Sequence, residues 1–155
     1  MLAKHEPMGL YFEDYEIGKE YVTQSRTVVP ADVERFASLS GDFNPLHTDE
    51  EFGKTTMFGT RIAHGALGLI ISQGLLHLMN FGDGTVIRTT EMSVKYPAPL
   101  RIGATVRAVL VPDEKLPGTE PGTGIIKQTV MLFNQDDVVV MESHQTVLVK
   151  TREGR

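Results

Sequence analysis

The chain has 155 residues, 41% hydrophobic and 23% charged, with a net charge of −5. That length fits one domain with a sizeable core, the composition excludes extended disorder, and the acidic balance argues against a nucleic-acid partner, which would meet a basic face. There are no cysteines, so disulfides, thiolate metal sites and a cysteine nucleophile are excluded too.

Residues 1–10 read as a flexible N-terminus without an apolar core of signal-peptide length. A strand is predicted over 21–29, where Val and Thr recur in "YVTQSRTVV". Pro30 opens a helix where its missing N–H costs nothing, and Asp32 and Glu34 occupy the first turn, where the dipole favours acids. Val33, Phe36, Ala37 and Ser40 repeat at helical spacing, and Gly41 is the stop. A rigid polar loop, "GDFNPLH", follows. Thr48 is the predicted N-cap of a short helix, with Glu51 closing a capping box. After an irregular connector, residues 63–80 read as one helix, apolar nearly all round and so expected to be buried. Gly65, Gly68 and Gly74 within it cost about 1 kcal/mol each relative to Ala, tolerable if another backbone packs closely.

The rest is strand-like: residues 85–96, 104–114, 121–135 and 136–150, with "NQDD" as the last hairpin turn and 151–155 as a tail. One long apolar helix covered by four or five antiparallel strands makes an α+β domain over residues 11–150. A sheet with free edges invites a second subunit, so a homodimer or higher homo-oligomer is expected. The longest apolar run is too short and interrupted to span a bilayer, so the expectation is a cytoplasmic protein with no membrane partner.

Two features could carry chemistry. In the loop, Asp42 and His47 flank a proline of fixed φ, and a carboxylate and an imidazole held close can share a water or a proton. The structural alternative is an Asx turn at Asp42 and a histidine satisfying a carbonyl. In "AHGALGL", a helix starting near Gly65 would present unpaired N–H groups where a carbonyl oxygen could gain negative charge. The alternative there is a glycine that eases a tight helix entry. His64 reads as structural, a ligand or a proton carrier. Asp42, His47, Asp49 and His64 lack zinc-ligand spacing, so no metal is expected. Ser72 has no nucleophile-elbow context, and the glycines form neither a P-loop nor a dinucleotide fingerprint.

"FASLSGDFNPLHTDEEF" followed by "GTRIAHGALGLIIS", with "VKYPAPLRIGATV" further on, resembles the MaoC-like dehydratases and (R)-specific enoyl-CoA hydratases over nearly the whole chain. The resemblance implies a hotdog fold, a long central helix wrapped by a curved antiparallel sheet, working as a dimer with its acyl-CoA site at the subunit interface. It implies reversible hydration of a trans-2-enoyl thioester to a 3-hydroxyacyl thioester, with acyl-CoA as substrate and no cofactor. Asp42 and His47 would be the catalytic pair, Gly65 the oxyanion-hole amide, and Asn44 and Pro45 the keepers of loop geometry. Where such hydratases can place an aspartate-bonding serine on the central helix, this chain has Gln73, with Ser72 adjacent as a second candidate support; either Gln73 takes over the bond to Asp42 or the aspartate is oriented differently. Met57 and Phe58 are candidate acyl-pocket walls. Lys54, Arg61, Lys95 and Arg101 are available for CoA phosphates. Two other readings stand beside hydration: an acyl-CoA thioesterase, since hotdog domains host both chemistries, and a noncatalytic acyl-CoA-binding protein.

Overall fold

The computed structural model describes residues 6–154. Two short strands, β1 (Tyr21–Val22) and β2 (Arg26–Thr27), lead into helix α1 (Pro30–Ser40). The one-turn α2 (Pro45–Thr48), the short α3 (Glu50–Lys54) and the long α4 (Gly65–Leu78) follow. Four long strands complete the chain: β3 (Val86–Lys95), β4 (Thr105–Pro117), β5 (Thr123–Phe133) and β6 (Val139–Lys150). All pairings are antiparallel, in the order β1-β4-β5-β6-β3, and β2 also pairs with β4.

The alternation read in the sequence is the alternation that buries. Val106, Ala108 and Leu110 of β4, Ile126, Val130 and Leu132 of β5, and Met141, Val147 and Val149 of β6 point to one face of the sheet and are buried. Across that face lies α4, which contributes Leu67, Ile71, Leu75 and Leu76 at helical spacing. This is the hotdog arrangement, α+β as expected. Pro112 cannot donate to the ladder, and the β4–β5 register shifts between Pro112 and Glu114. The "NQDD" hairpin closes on the Asn134 side chain, whose Oδ1 accepts from Asp136 N–H and Val138 N–H at 3.0 Å each.

Three expectations need correction. The strand over 21–29 is broken into β1 and β2, because Ala108 N–H donates to the Thr23 side-chain Oγ1 (2.9 Å) in place of a backbone partner. The N-cap of α3 is Asp49, whose Oδ1 accepts from Phe52 N–H at 3.1 Å. Thr48 instead ends α2 and turns its hydroxyl to the Phe43 and Asn44 carbonyls. Finally, α4 is not buried all round: Ile70 is 53% and Leu78 64% exposed, on a face that none of the described residues covers. Its glycines also differ from one another. A Cβ at Gly68 would touch the Leu100 and Leu132 side chains at 3.3 and 3.4 Å, and one at Gly74 would meet nothing within 4 Å.

The segment after β6 turns into a 3₁₀ turn (Arg152–Gly154) held against another (Phe12–Asp14). Arg152 pairs with Asp14, its backbone N–H donates to the Glu13 carboxylate, and its guanidinium lies 5.2 Å from the Tyr11 ring centroid. Among the described residues no helix is long and apolar enough to cross a membrane.

Candidate active site

The site begins where α1 stops. Gly41 takes a left-handed φ of 78°, which any other residue would adopt only at a cost, and its N–H returns to the Ala37 carbonyl. A chain of local hydrogen bonds then fixes the loop. Ser40 Oγ donates to the Phe36 carbonyl (2.7 Å) and accepts from Asp42 N–H (3.2 Å). Asp42 Oδ1 accepts from Asn44 N–H at 3.2 Å, an Asx turn. Asn44 Oδ1 caps α2 by accepting from Leu46 N–H at 3.0 Å, and Pro45 supplies the preset φ of the first helical position. Asn44 thus caps α2 and Pro45 opens it.

His47 lies on α2. Its Nδ1 donates to the Ile62 carbonyl at 2.8 Å; a carbonyl only accepts, so Nδ1 carries a hydrogen, and in the neutral imidazole Nε2 is the acceptor. The His64 ring stacks on the His47 ring with centroids 3.9 Å apart and planes 29° apart. Phe36 of α1 packs on His64 at 4.7 Å. His64 Nε2 donates to the Asp42 backbone carbonyl at 2.9 Å and lies 3.9 Å from the Asp42 carboxylate. Asp42, His47 and His64 each bring one nitrogen or carboxylate oxygen within 4.8 Å of the others. His64 Nε2, the nitrogen that faces Asp42, is already engaged as a donor to the Asp42 carbonyl.

Gly65 follows His64 directly and opens α4, so its N–H lies ahead of any intrahelical acceptor. His47 and Gly65 line the same cavity, about 560 Å³, whose other walls include Phe58, Tyr96, Pro99 and Leu100. The volume lies within the range of small-molecule sites. Met57 also borders it but is 92% exposed, so it hangs at the mouth instead of forming a packed wall. Two of the basic side chains considered for CoA phosphates are used as braces: Arg61 donates to the His47 carbonyl (3.2 Å) and Arg101 to the Phe58 carbonyl (3.2 Å). Lys54 pairs with Glu51.

The proposed support of Asp42 from the central helix is not where the resemblance pointed. Ser72 is buried and donates to the Leu69 carbonyl at 2.7 Å. Gln73 borders a separate cavity with Leu76, Phe81 and Gln128. From the α4 side, His64 reaches the Asp42 carbonyl, one position before the helix, where a search along the helix could not find it.

Residues 13–132 match the family model described as "MaoC like domain". The chain is 35% identical over 147 residues to an (R)-specific enoyl-CoA hydratase of Rhodospirillum rubrum, covering 92% of this chain and 93% of that one. It is 36% identical over 108 residues to a 3-hydroxybutyryl-CoA dehydratase of Methylorubrum extorquens, covering 70% of this chain and 67% of that one. Among solved structures, a monoamine oxidase regulatory protein from Archaeoglobus superposes with a TM-score of 0.85 at 33% identity, over 92% of this chain and 95% of that one. A hotdog domain carrying this loop and this helix start defines a hydratase–dehydratase class, and the chain belongs to the MaoC-like dehydratase family. Both curated relatives are named as hydro-lyases.

Proposed function

We propose that the protein hydrates trans-2-enoyl-CoA to (R)-3-hydroxyacyl-CoA, reversibly. The observation that carries the reading is that His47 and the Gly65 amide line one largely apolar cavity while the Asp42 carboxylate stands within 4.8 Å of a His47 ring nitrogen. Water lies between Asp42 and His47 Nε2. One of them takes a proton as the water oxygen bonds to C3, and the C2–C3 π electrons move toward the thioester. The Gly65 N–H stabilises the enolate oxygen that results, an effect of about 3–4 kcal/mol for one such donor. The proton then passes to C2, so one water is consumed and no electrons change hands. These steps need neither a metal nor a cofactor.

The working unit is a homodimer. Leu39, Phe43 and Met57 near the catalytic loop and Ile70 and Leu78 on α4 are exposed apolar side chains, as are Val86, Ile87 and Met92 on the edge strand β3. A second copy would cover them and bring its own apolar face to the site. The reading places the enzyme in the cytoplasm, where acyl-CoA thioesters are made and used.

The test is to add the protein to crotonyl-CoA and follow enoyl absorbance and free thiol together, with Asp42→Asn as the control. Enoyl loss without thiol, abolished in the variant, is expected. Thiol release would replace the proposal by thioester hydrolysis, and no turnover over a panel of longer, branched and dicarboxylic enoyl-CoAs would leave acyl-CoA binding as the function.

A further inference from the structure

We infer that His64 is the positioning residue of the Asp42–His47 pair, an inference that rests on the hydratase reading above. The ring is 2% exposed, so nothing it does depends on contact with bulk water. One edge is bonded: Nε2–H donates to the Asp42 carbonyl. Two rings pack on it, His47 stacked at 3.9 Å and Phe36 tilted at 4.7 Å. The remaining nitrogen, Nδ1, is buried without a hydrogen-bond partner. An unpaired buried acceptor costs free energy that an apolar side chain of similar shape would avoid. The cost is accepted here because no apolar ring could hold the Asp42 carbonyl.

Among the described residues no protein group meets Nδ1, so within the fold the bond of the His64 ring to the Asp42 carbonyl is its one polar tie. It does not bond the Asp42 carboxylate, which is 3.9 Å from Nε2, too far for a hydrogen bond. What it does is join two segments that are 22 residues apart in sequence. It precedes Gly65, so a displacement of its ring moves the pair relative to the amide that would meet the thioester oxygen. The loop carrying the acid–base groups and the helix start carrying the electrostatic donor therefore share one pivot, and its flat face sets the tilt of the His47 ring.

Two substitutions separate this role from simple packing. His64→Gln keeps an N–H donor at about the Nε2 position and loses the ring. His64→Phe keeps the ring and its stacking and loses the donor. With crotonyl-CoA as the probe, His64→Phe should lower kcat about 30- to 100-fold with KM changed less than about 3-fold, the scale expected when reacting groups are misplaced by roughly 1 Å. His64→Gln should lower kcat only about 3- to 5-fold, because the donor to Asp42 survives. Equal losses in the two variants, or a loss that merely tracks Tm, would overturn the inference. A readout independent of turnover is nitrogen-15 NMR of the wild-type imidazoles, where the neutral His64 ring should carry its hydrogen on Nε2 and show a coupling across to the Asp42 carbonyl. The opposite tautomer would overturn the positioning role even in an active enzyme, whereas a wild type with the expected tautomer and no enoyl turnover would overturn the hydratase reading alone.

Discussion

Replacing Gly65 with Ala tests the helix-start amide directly. A Cβ built on Gly65 would sit 2.9 Å from Tyr96 Cε1, 3.0 Å from Cδ1 and 3.1 Å from Cζ. Ordinary carbon contacts lie near 3.5–4.0 Å, so the ring and the Gly65 peptide must separate by roughly 0.5–1 Å. The three atoms belong to one half-exposed side chain, so a turn about Tyr96 χ1 relieves part of the contact and the displacement is shared by the ring and the peptide. Complete loss of an oxyanion donor costs about 2.7–4 kcal/mol. A donor that stays but is displaced should cost part of that, about 1.4–2.7 kcal/mol, or 10- to 100-fold in kcat. KM should change little, since the amide matters most once charge develops. Stopped-flow hydration of crotonyl-CoA reads this for the single variants and for Gly65→Ala combined with Tyr96→Ala. Removing the ring removes the clash, so the cycle should show a coupling of about 1–2 kcal/mol, with the double variant faster than Gly65→Ala alone. Wild-type kcat in Gly65→Ala, or an additive cycle, would refute both the amide's role and its packing against Tyr96.

Other expectations follow from the packing and charge. Gly53→Ala would place a Cβ 2.2 Å from the Arg61 backbone nitrogen, where only the backbone can move, so urea unfolding should show a loss of about 3 kcal/mol. The Asp14 carboxyl is pushed up by burial, but the Arg152 side-chain hydrogen bond and the Tyr11 N–H outweigh this and hold it below its ordinary value. Its stabilising contribution is therefore complete above the unfolded pKa of about 4 and is lost as pH falls through the lower folded value, so Asp14→Asn should cost about 1 kcal/mol at pH 7 and progressively less as the pH is lowered below the unfolded pKa. Ile70→Lys should leave the fold intact while halving the mass measured by light scattering, because Ile70 is exposed in the single chain and lies on the face assigned to the second copy.

Much of this architecture is legible in the sequence because its signals are local. Alternation in "TGIIKQTVMLF" and helical spacing in "GALGLIISQGLL" suffice to place β5 and α4. The misreadings have physical causes. Thr23 breaks its strand through a side-chain hydrogen bond that propensity does not register. Asn44 and Pro45 read as part of a rigid loop, yet together they start a helical turn that delivers His47. An apolar sequence all round α4 signals burial without saying by what, and the exposed Ile70 and Leu78 leave that to another molecule. His64 reads as an isolated histidine because its partners arrive from α1 and α2, and only the folded chain brings those rings together.

Both imidazoles are anchored on main-chain carbonyls, His47 on that of Ile62 and His64 on that of Asp42. A carbonyl is the same hook whatever side chain its residue bears. Mutation at position 62 could change the cavity wall and leave the His47 anchor in place. Descent can therefore vary what the site receives more freely than how its rings are held, and a lineage of such chains could diversify in substrate long before it lost its chemistry.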